Sequence, residues 1–276
     1  MGALPWHAHA DVWFVFVSLG AAYLVACRRH LARTGEVTPR KRKALFLGGV
    51  GLLWLASDWP IHDLAEQRLY FVHMVQHMLY TLVAAPLLIT GTPAWLWRSI
   101  LSPRPLRVVF RFMTRPLVAL LFFNSVLLFT HWPAVVAASV GSELTHFLLH
   151  VLVVGSAVCM WWPVVSPLPE MPALAPPGQM IYLFLQSLAP TIPASFLTFG
   201  RSPLYPVYEA FPRIWGMTAL NDQLMAGLIM KLIGGFILWG VIAAVFFKWA
   251  AREQRGGWDE SAWRNVDREI QAELPR

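Results

Sequence analysis

Residues 69–91 read LYFVHMVQHMLYTLVAAPLLITG and contain no Lys, Arg, Asp or Glu. About 20 helical residues cross a bilayer core about 30 Å thick, so this run is long enough to span a membrane. Six further apolar runs of comparable length lie at residues 11–28, 44–60, 116–135, 143–164, 179–200 and 222–248. None of the seven alternates like a barrel strand, so each is predicted to be a helix.

The composition excludes a water-soluble or disordered chain. Of the 276 residues, 57% are hydrophobic and 13% are charged, and the mean hydropathy is +0.53. A soluble domain of this size could not bury so much apolar surface, and a disordered chain would carry far less of it. The two cysteines, Cys27 and Cys159, are too few for a disulfide scaffold. We predict an all-α polytopic membrane protein, with a seven-helix transmembrane domain over residues 1–250 and an amphipathic cytoplasmic tail over 251–276.

The basic residues predict the orientation of this bundle. Of the 22 Lys and Arg residues, 18 fall in the first loop, the third loop and the tail, which share one side of a seven-span topology. The opposite side holds only Arg68, Arg201 and Arg213. Because cytoplasmic loops are enriched in Lys and Arg, the N-terminus is predicted outside and the C-terminus in the cytoplasm. The basic loops are explained by topology and by attraction to anionic lipid, without nucleic-acid binding.

Several residues predict local features of the spans. Three prolines are expected to kink their helices: Pro86, Pro190 and Pro193. Three glycines in the second run favour close helix contact: Gly48, Gly49 and Gly51. Trp161 and Trp162 lie near the inner end of the fifth run, where we expect an interfacial aromatic belt.

Eight of the nine histidines fall on the outer side of this topology or in the outer half of a helix. Seven acidic residues share that side with only three basic ones, which makes it attractive to cations. Two pairs of histidines are spaced four residues apart: His73 with His77, and His146 with His150. This spacing puts both rings of a pair on one helix face, within reach of a shared ion. The pairs are therefore the first candidate metal ligands.

The chemistry of these ligands favours copper, because imidazole combined with thioether suits that metal. Further candidate ligands on the outer side are His62, Met74, Met78, His131, Asp222, Met225 and Met230. Imidazoles with a carboxylate would also fit tetrahedral zinc, and histidines from two helices could ligate haem. A metal-free network of hydrogen bonds with Asp58, Asp63 or Glu143 is the remaining alternative.

Lys231 is a charged residue about nine positions into the last apolar run. A charge at this depth is costly, so we expect it to pair with a carboxylate or a backbone carbonyl, or to extend toward the interface. A proton or ion relay through Lys231 is the less favoured interpretation, because no second buried acid is evident at its depth.

Residues 57–93, SDWPIHDLAEQRLYFVHMVQHMLYTLVAAPLLITGTP, resemble the polytopic CtaG family of bacterial cytochrome c oxidase assembly proteins. The HxxxH pair at 146–150, Trp162-Pro163, Tyr205-Pro206 and the stretch DQLMAGLIM at 222–230 resemble the same family. These motifs span residues 57 to about 235, and the position after the last one is Lys231, where some family members have Trp. The resemblance implies seven transmembrane helices and a part in maturing haem-copper oxidase.

The resemblance also implies delivery of copper to the oxidase, with His73, His77, His146, His150 and Asp222 as the metal residues. We expect a non-enzymatic assembly factor in the bacterial plasma membrane, with an oxidase subunit, the lipid bilayer and a copper donor protein as partners. A haem-binding redox protein and a metal-free assembly scaffold are the alternatives. No soluble-enzyme constellation is visible, and nothing in the sequence indicates nucleic-acid binding.

Overall fold

The computed structural model describes residues 8–257, and every regular element in this range is helical. The α-helices are α1 Ala10–Thr34, α2 Arg40–Ser57, α3 Ile61–Gln67, α4 Tyr70–Met78, α5 Ala85–Gly91, α6 Ala94–Ile100, α7 Arg104–Met113, α8 Pro116–Thr130, α9 Pro133–Val140, α10 Glu143–Val165, α11 Pro176–Leu188, α12 Thr191–Phe199 and α13 Ala219–Gly257. A π-helical segment, Leu79–Ala84, joins α4 to α5, and a 3₁₀ segment covers Pro206–Ala210. The all-α prediction is confirmed, while the amphipathic helix expected in the tail lies outside the described residues beyond Gly257.

Five helical stretches are long and apolar enough to cross a membrane, namely Ala10–Thr34, Tyr70–Gly91, Glu143–Val165, Pro176–Phe199 and Ala219–Gln254. The number of candidate spans rises to six if α7 and α8, which meet at an angle of 83°, are counted together as one span. The structure therefore supports a polytopic bundle of five to six candidate spans within the described residues.

The remaining predicted run, 44–60, forms a shorter helix than a typical span. Helix α2 begins with four basic residues, Arg40 to Lys43, and its apolar part ends at Ser57. At 1.5 Å per residue, the stretch from Ala44 to Ser57 is about 21 Å long, less than the thickness of a bilayer core. Polar and turn-forming residues then lead into α3.

Prolines divide two of the predicted runs. Run 116–135 breaks at His131 and Trp132, because Pro133 cannot donate a helical hydrogen bond, and it continues as α9. Run 179–200 breaks between Leu188 and Thr191, beside Pro190, as predicted.

Pro86 has its main effect on the π-helical segment that precedes it. In this segment the amide of Ala85 bonds back to the carbonyl of Tyr80, five residues away. The next carbonyl, of Thr81, would need the amide of Pro86, which does not exist. Trp161 of α10 donates its indole N–H to this carbonyl at 2.7 Å instead. The proline thus leaves an acceptor that fastens α10 to the π-helical segment after α4.

Trp161 and Trp162 do not form part of an interfacial belt, contrary to prediction. Each is only 1% exposed, and both belong to the main hydrophobic core with Ile89, Met160 and Leu183. The indole of Trp162 bonds to the carbonyl of Met171 in the loop that follows α10. Because the carbonyls of Thr81 and Met171 accept the two indole N–H groups, these amphipathic rings can turn inward.

Among the described glycines, Gly91 on α5 has the least room for a side chain. A Cβ on Gly91 would lie 2.3 Å from the backbone nitrogen of Phe46, so α5 and α2 can approach only because this position lacks a side chain. Three glycines were predicted to promote close contact. A Cβ on Gly49 would lie 3.0 Å from the side chain of Leu88, whereas a Cβ on Gly48 or Gly51 would have open space around it.

Gly91→Ala is therefore expected to destabilise the bundle by about 2–3 kcal/mol, because backbone cannot yield to the added methyl group as a flexible side chain could. Gly48→Ala is the matched control and should leave stability unchanged or raise it by up to about 1 kcal/mol, because alanine favours helix. Thermal unfolding of both variants in the same detergent would test this. Equal stability of the two would show that α2 and α5 do not pack as described.

Most histidines lie at one end of the bundle, which we call the α3 end. It contains α3, α9, the 3₁₀ segment, the C-terminal end of α8 and the first turns of α4, α10 and α13. Contacts such as Tyr205 Oη to the carbonyl of His131, at 2.8 Å, join these pieces. The core beneath them is built around Tyr70, Met74 and Leu197.

Candidate metal centre

The two predicted histidine pairs come together at the α3 end. Helix α4 carries His73 and His77, and α10 carries His146 and His150; we call these four residues the imidazole cluster. One ring nitrogen from each of His73, His146 and His150 lies within 4.8 Å of the other two. The ring centroids of His73 are 5.6 Å from those of both His146 and His150. Three imidazoles from two helices are thus grouped closely enough to hold one ion.

His77 completes the cluster on its deeper side. Its Nε2 lies 3.1 Å from Nε2 of His150, which is a hydrogen bond in which only one ring carries the proton. The bond between Thr81 and Trp161 lies one turn beyond His77, in the π-helical segment, and the hydroxyl of Thr81 also donates to the carbonyl of His77. The π-helical segment and its bond to Trp161 therefore hold the two histidine-bearing helices side by side.

The imidazole cluster lines a cavity of about 230 Å³. The nitrogen Nδ1 of His73 is buried and has no hydrogen-bond partner among the described residues. Buried polar atoms are nearly always satisfied, so an unpartnered ring nitrogen facing a cavity is a signal of a missing ligand. Met74, which is 3% exposed, and His131 line the same cavity.

His131 presents a second unpartnered nitrogen there. Its Nδ1 lies 2.7 Å from the carbonyl of Leu127, and a carbonyl can only accept, so the proton must be on Nδ1. Its Nε2 is then a lone-pair donor, buried and without a partner in the described part of the chain. A backbone bond that fixes the tautomer in this way is the usual arrangement around a metal-ligating histidine.

Glu66 is the residue at this site that sequence reasoning missed. Its Oε1 lies 2.8 Å from Nε2 of His146 and 3.2 Å from Nε2 of His62. Burial would raise the pKa of Glu66, but the hydrogen bond and charge of His146, with the charge of His62, hold that pKa below its usual value. The i,i+4 spacing of His62 and Glu66 was the available signal, but α3 is too short for a periodic pattern to stand out.

His62 lies beside the cluster, on α3. Burial is the largest influence on it and lowers the pKa of its ring, against a weaker opposing effect of Glu66. Burial therefore favours the neutral form of this imidazole, whereas its neighbours favour the ionised form of Glu66. Neutral imidazoles with one carboxylate form a cation-binding environment.

The sequence predicted Asp222 to be one of the metal ligands. The structure places it apart from the imidazole cluster. Its Oδ2 and Oδ1 accept the backbone N–H groups of Tyr70 and Phe71, each at 2.9 Å, and Arg213 donates to Oδ2 at 3.2 Å. Asp222 is fully buried and does not line the cavity. Its carboxylate caps the start of α4 from a distant helix, which positions His73 one turn later.

The other predicted residues lie at varying distances from the cluster. Met78 and Met230 line a second, largely apolar cavity of about 70 Å³ that shares Met74, His77 and His131 with the first. Met225 is 39% exposed and lines neither cavity. Lys231 donates to the hydroxyl of Thr191, rather than to a carboxylate or a backbone carbonyl.

This arrangement suits reversible binding of a small cation. It offers several imidazoles, a nearby carboxylate and an adjoining thioether, so one ligand could replace another while the ion stays coordinated. The hydroxyl of Ser139, which lines the same cavity, lies 3.2 Å from Nδ1 of His146 and steadies that ring.

A comparison with protein families identifies the group to which the chain belongs. The family model described as "Cytochrome c oxidase caa3 assembly factor" (Caa3_CtaG) matches residues 21–252. The match includes both histidine pairs, Glu66, His131 and Asp222. Comparisons with curated proteins and with solved structures find no match. The matched region is most of the chain, and the protein belongs to the family of caa3-type cytochrome c oxidase assembly factors.

Proposed function

We propose that the protein binds copper in the imidazole cluster and supplies it to a haem-copper oxidase subunit during assembly. The observation that carries the proposal is the group of ring nitrogens from His73, His146 and His150, all within 4.8 Å of one another. Membership of a family of oxidase assembly factors supports the oxidase as the recipient. The protein then acts without catalysis, and a copper donor protein would load it.

The donor set supports copper over the alternatives. Imidazoles dominate the site, with Met74 in the same cavity, and copper accepts both kinds of ligand. A cavity of about 230 Å³ is smaller than the pockets that hold drug-sized ligands, and haem is larger than such ligands. A single ion therefore fits this space better than haem.

We further propose that the chain crosses the bacterial plasma membrane seven times, with α2 as a short span and α7 along the cytoplasmic surface. The 83° angle between α7 and α8 supports this, as do the exposed apolar residues Val108, Val109 and Phe112 on α7 beside its arginines. The N-terminus and the α3 end are then outside and the basic loops inside.

Single cysteines introduced on a background of Cys27→Ala and Cys159→Ala test this topology. A cysteine at Glu209, at the α3 end, is expected to react with an impermeant maleimide in intact cells. A cysteine at Glu36, between α1 and α2, should react only after the cells are permeabilised. The reverse pattern, or labelling of both in intact cells, would contradict the proposed orientation.

Deletion of the gene tests the delivery role. The oxidase purified from deletion cells is expected to contain markedly less copper than that from wild-type cells, and a plasmid copy should restore it. A deletion that leaves the copper content of the oxidase normal would refute the proposal. If a copy lacking all four cluster histidines restored oxidase activity fully, the metal-free scaffold would be the correct function.

A further inference from the structure

A second group of imidazoles and carboxylates lies beside the imidazole cluster, closer to solvent. It consists of His9, at the start of α1, and His62, Asp63 and Glu66 on α3; we call it the rim group. Nε2 of His9 lies 2.9 Å from Oδ1 of Asp63, and the rings of His9 and His62 are 5.0 Å apart. The side chains of His9 and His62 are 22% and 20% exposed. Incoming ions therefore reach these rings directly.

Glu66 connects the rim group with the imidazole cluster. The same oxygen, Oε1, lies 3.2 Å from His62 and 2.8 Å from His146, so one carboxylate touches both groups. The rings of His62 and His146 are 6.1 Å apart, and those of His146 and His150 are 4.2 Å apart. Along the path from His9 through His62 and His146 to His150, each ring therefore lies within about the width of one metal coordination sphere of the next ring.

We propose that His9, His62, Asp63 and Glu66 form an outer copper site, from which the ion passes through Glu66 and His146 to the imidazole cluster. This inference rests on the proposed copper function. Two imidazoles and two carboxylates form a donor set that binds copper ions, and partial exposure lets ions enter and leave. Each transfer step exchanges one ligand on the copper for the next, and the oxidation state of the copper does not change.

The rim group also holds the start of α1 against α3. His9 immediately precedes Ala10, the first residue of α1, and its bond to Asp63 fastens that end of α1 to α3. Trp13 reinforces this contact by donating to Asp58 at 2.7 Å. The outer site is therefore assembled from two separate parts of the chain that are already held together.

Titration of the full-length protein in detergent with Cu(II), followed by electron paramagnetic resonance and metal analysis, tests the outer site. Wild type is expected to bind two copper ions per chain. The variant His9→Ala with His62→Ala should bind one, with a signal dominated by nitrogen ligands, and the variant His73→Ala with His150→Ala should also bind one, with mixed nitrogen and oxygen ligands. His30→Ala, at the opposite end of the bundle, is the control and should bind two.

The outcomes separate this inference from the proposed function. A single copper in wild type that disappears only with His73→Ala and His150→Ala would refute the outer site and leave the cluster proposal standing. No copper in wild type, or unchanged binding in the variant of His73 and His150, would refute the proposed function itself.

The connecting role of Glu66 needs its own variant. With copper limiting, Glu66→Gln is expected to slow loading of the imidazole cluster by about tenfold, a loss typical of a group supporting a metal ligand. Glu209→Gln, which removes an exposed carboxylate from the same end of the molecule, should change the rate less than about twofold. Equal rates in the two variants would refute transfer through Glu66.

Discussion

Replacing His73 and His150 together by alanine is expected to weaken copper binding at the imidazole cluster by more than about 100-fold. Loss of supporting groups alone costs 10- to 100-fold in metal affinity, and this variant removes two direct ligand candidates on different helices. The pair is chosen because it removes a donor from α4 and one from α10, so no complete histidine pair remains.

Competition of the purified variant with a copper chelator of known affinity would measure the effect. The fold should survive, because the bond from Trp161 to Thr81 and the cap by Asp222 remain intact. His30→Ala is the matched control, since that ring stacks on Trp95 far from the cluster and should leave the affinity unchanged. Wild-type affinity in the double variant would place copper elsewhere in the protein.

Asp222→Ala is expected to lower the free energy of unfolding by about 3–5 kcal/mol, the usual cost of removing one partner of a buried ion pair. The change leaves the N–H groups of Tyr70 and Phe71 without an acceptor and Arg213 without its carboxylate. Asp222→Asn should cost less, because one side-chain oxygen remains. Asp11→Ala, at an exposed acidic residue in the first turn of α1, should stay within about 0.5 kcal/mol of wild type.

The same variants decide whether Asp222 is a ligand or a positioning residue. If it positions α4, Asp222→Asn should keep the wild-type electron paramagnetic resonance spectrum of bound Cu(II), with a lower thermal midpoint. A changed set of copper ligands in a variant of unaltered stability would show that Asp222 binds the metal directly, as the sequence alone suggested.

Helical periodicity predicted much of this site. The four-residue spacing of His73 with His77, and of His146 with His150, fixes each pair on one face whatever the rest of the chain does. What the spacing could not supply is that α4 and α10 are neighbours. That contact depends on a carbonyl at Thr81 left free by Pro86 and on an indole 80 residues away, a pairing with no local signature.

Asp222 and Glu66 show what a local sequence pattern cannot decide. A buried carboxylate at the start of an apolar helix is compatible with binding an ion or with capping a neighbouring helix, and only the position of Tyr70 and Phe71 in space distinguishes the two. Glu66 lies in a helix of seven residues, too short for its pattern to be read, although its spacing from His62 was visible. The number of membrane spans was also hard to predict from the sequence, because the basic first turn of α2 shortens its apolar segment.

X-ray absorption spectroscopy of the wild-type protein, loaded with one equivalent of copper, tests whether the imidazole cluster binds the metal. We expect the nearest shell of the copper to contain at least three imidazole nitrogens, with the outer scattering that imidazole rings produce. The variant His73→Ala with His150→Ala should lose that pattern. A copper shell without imidazole scattering, or one unchanged in that variant, would contradict this expectation.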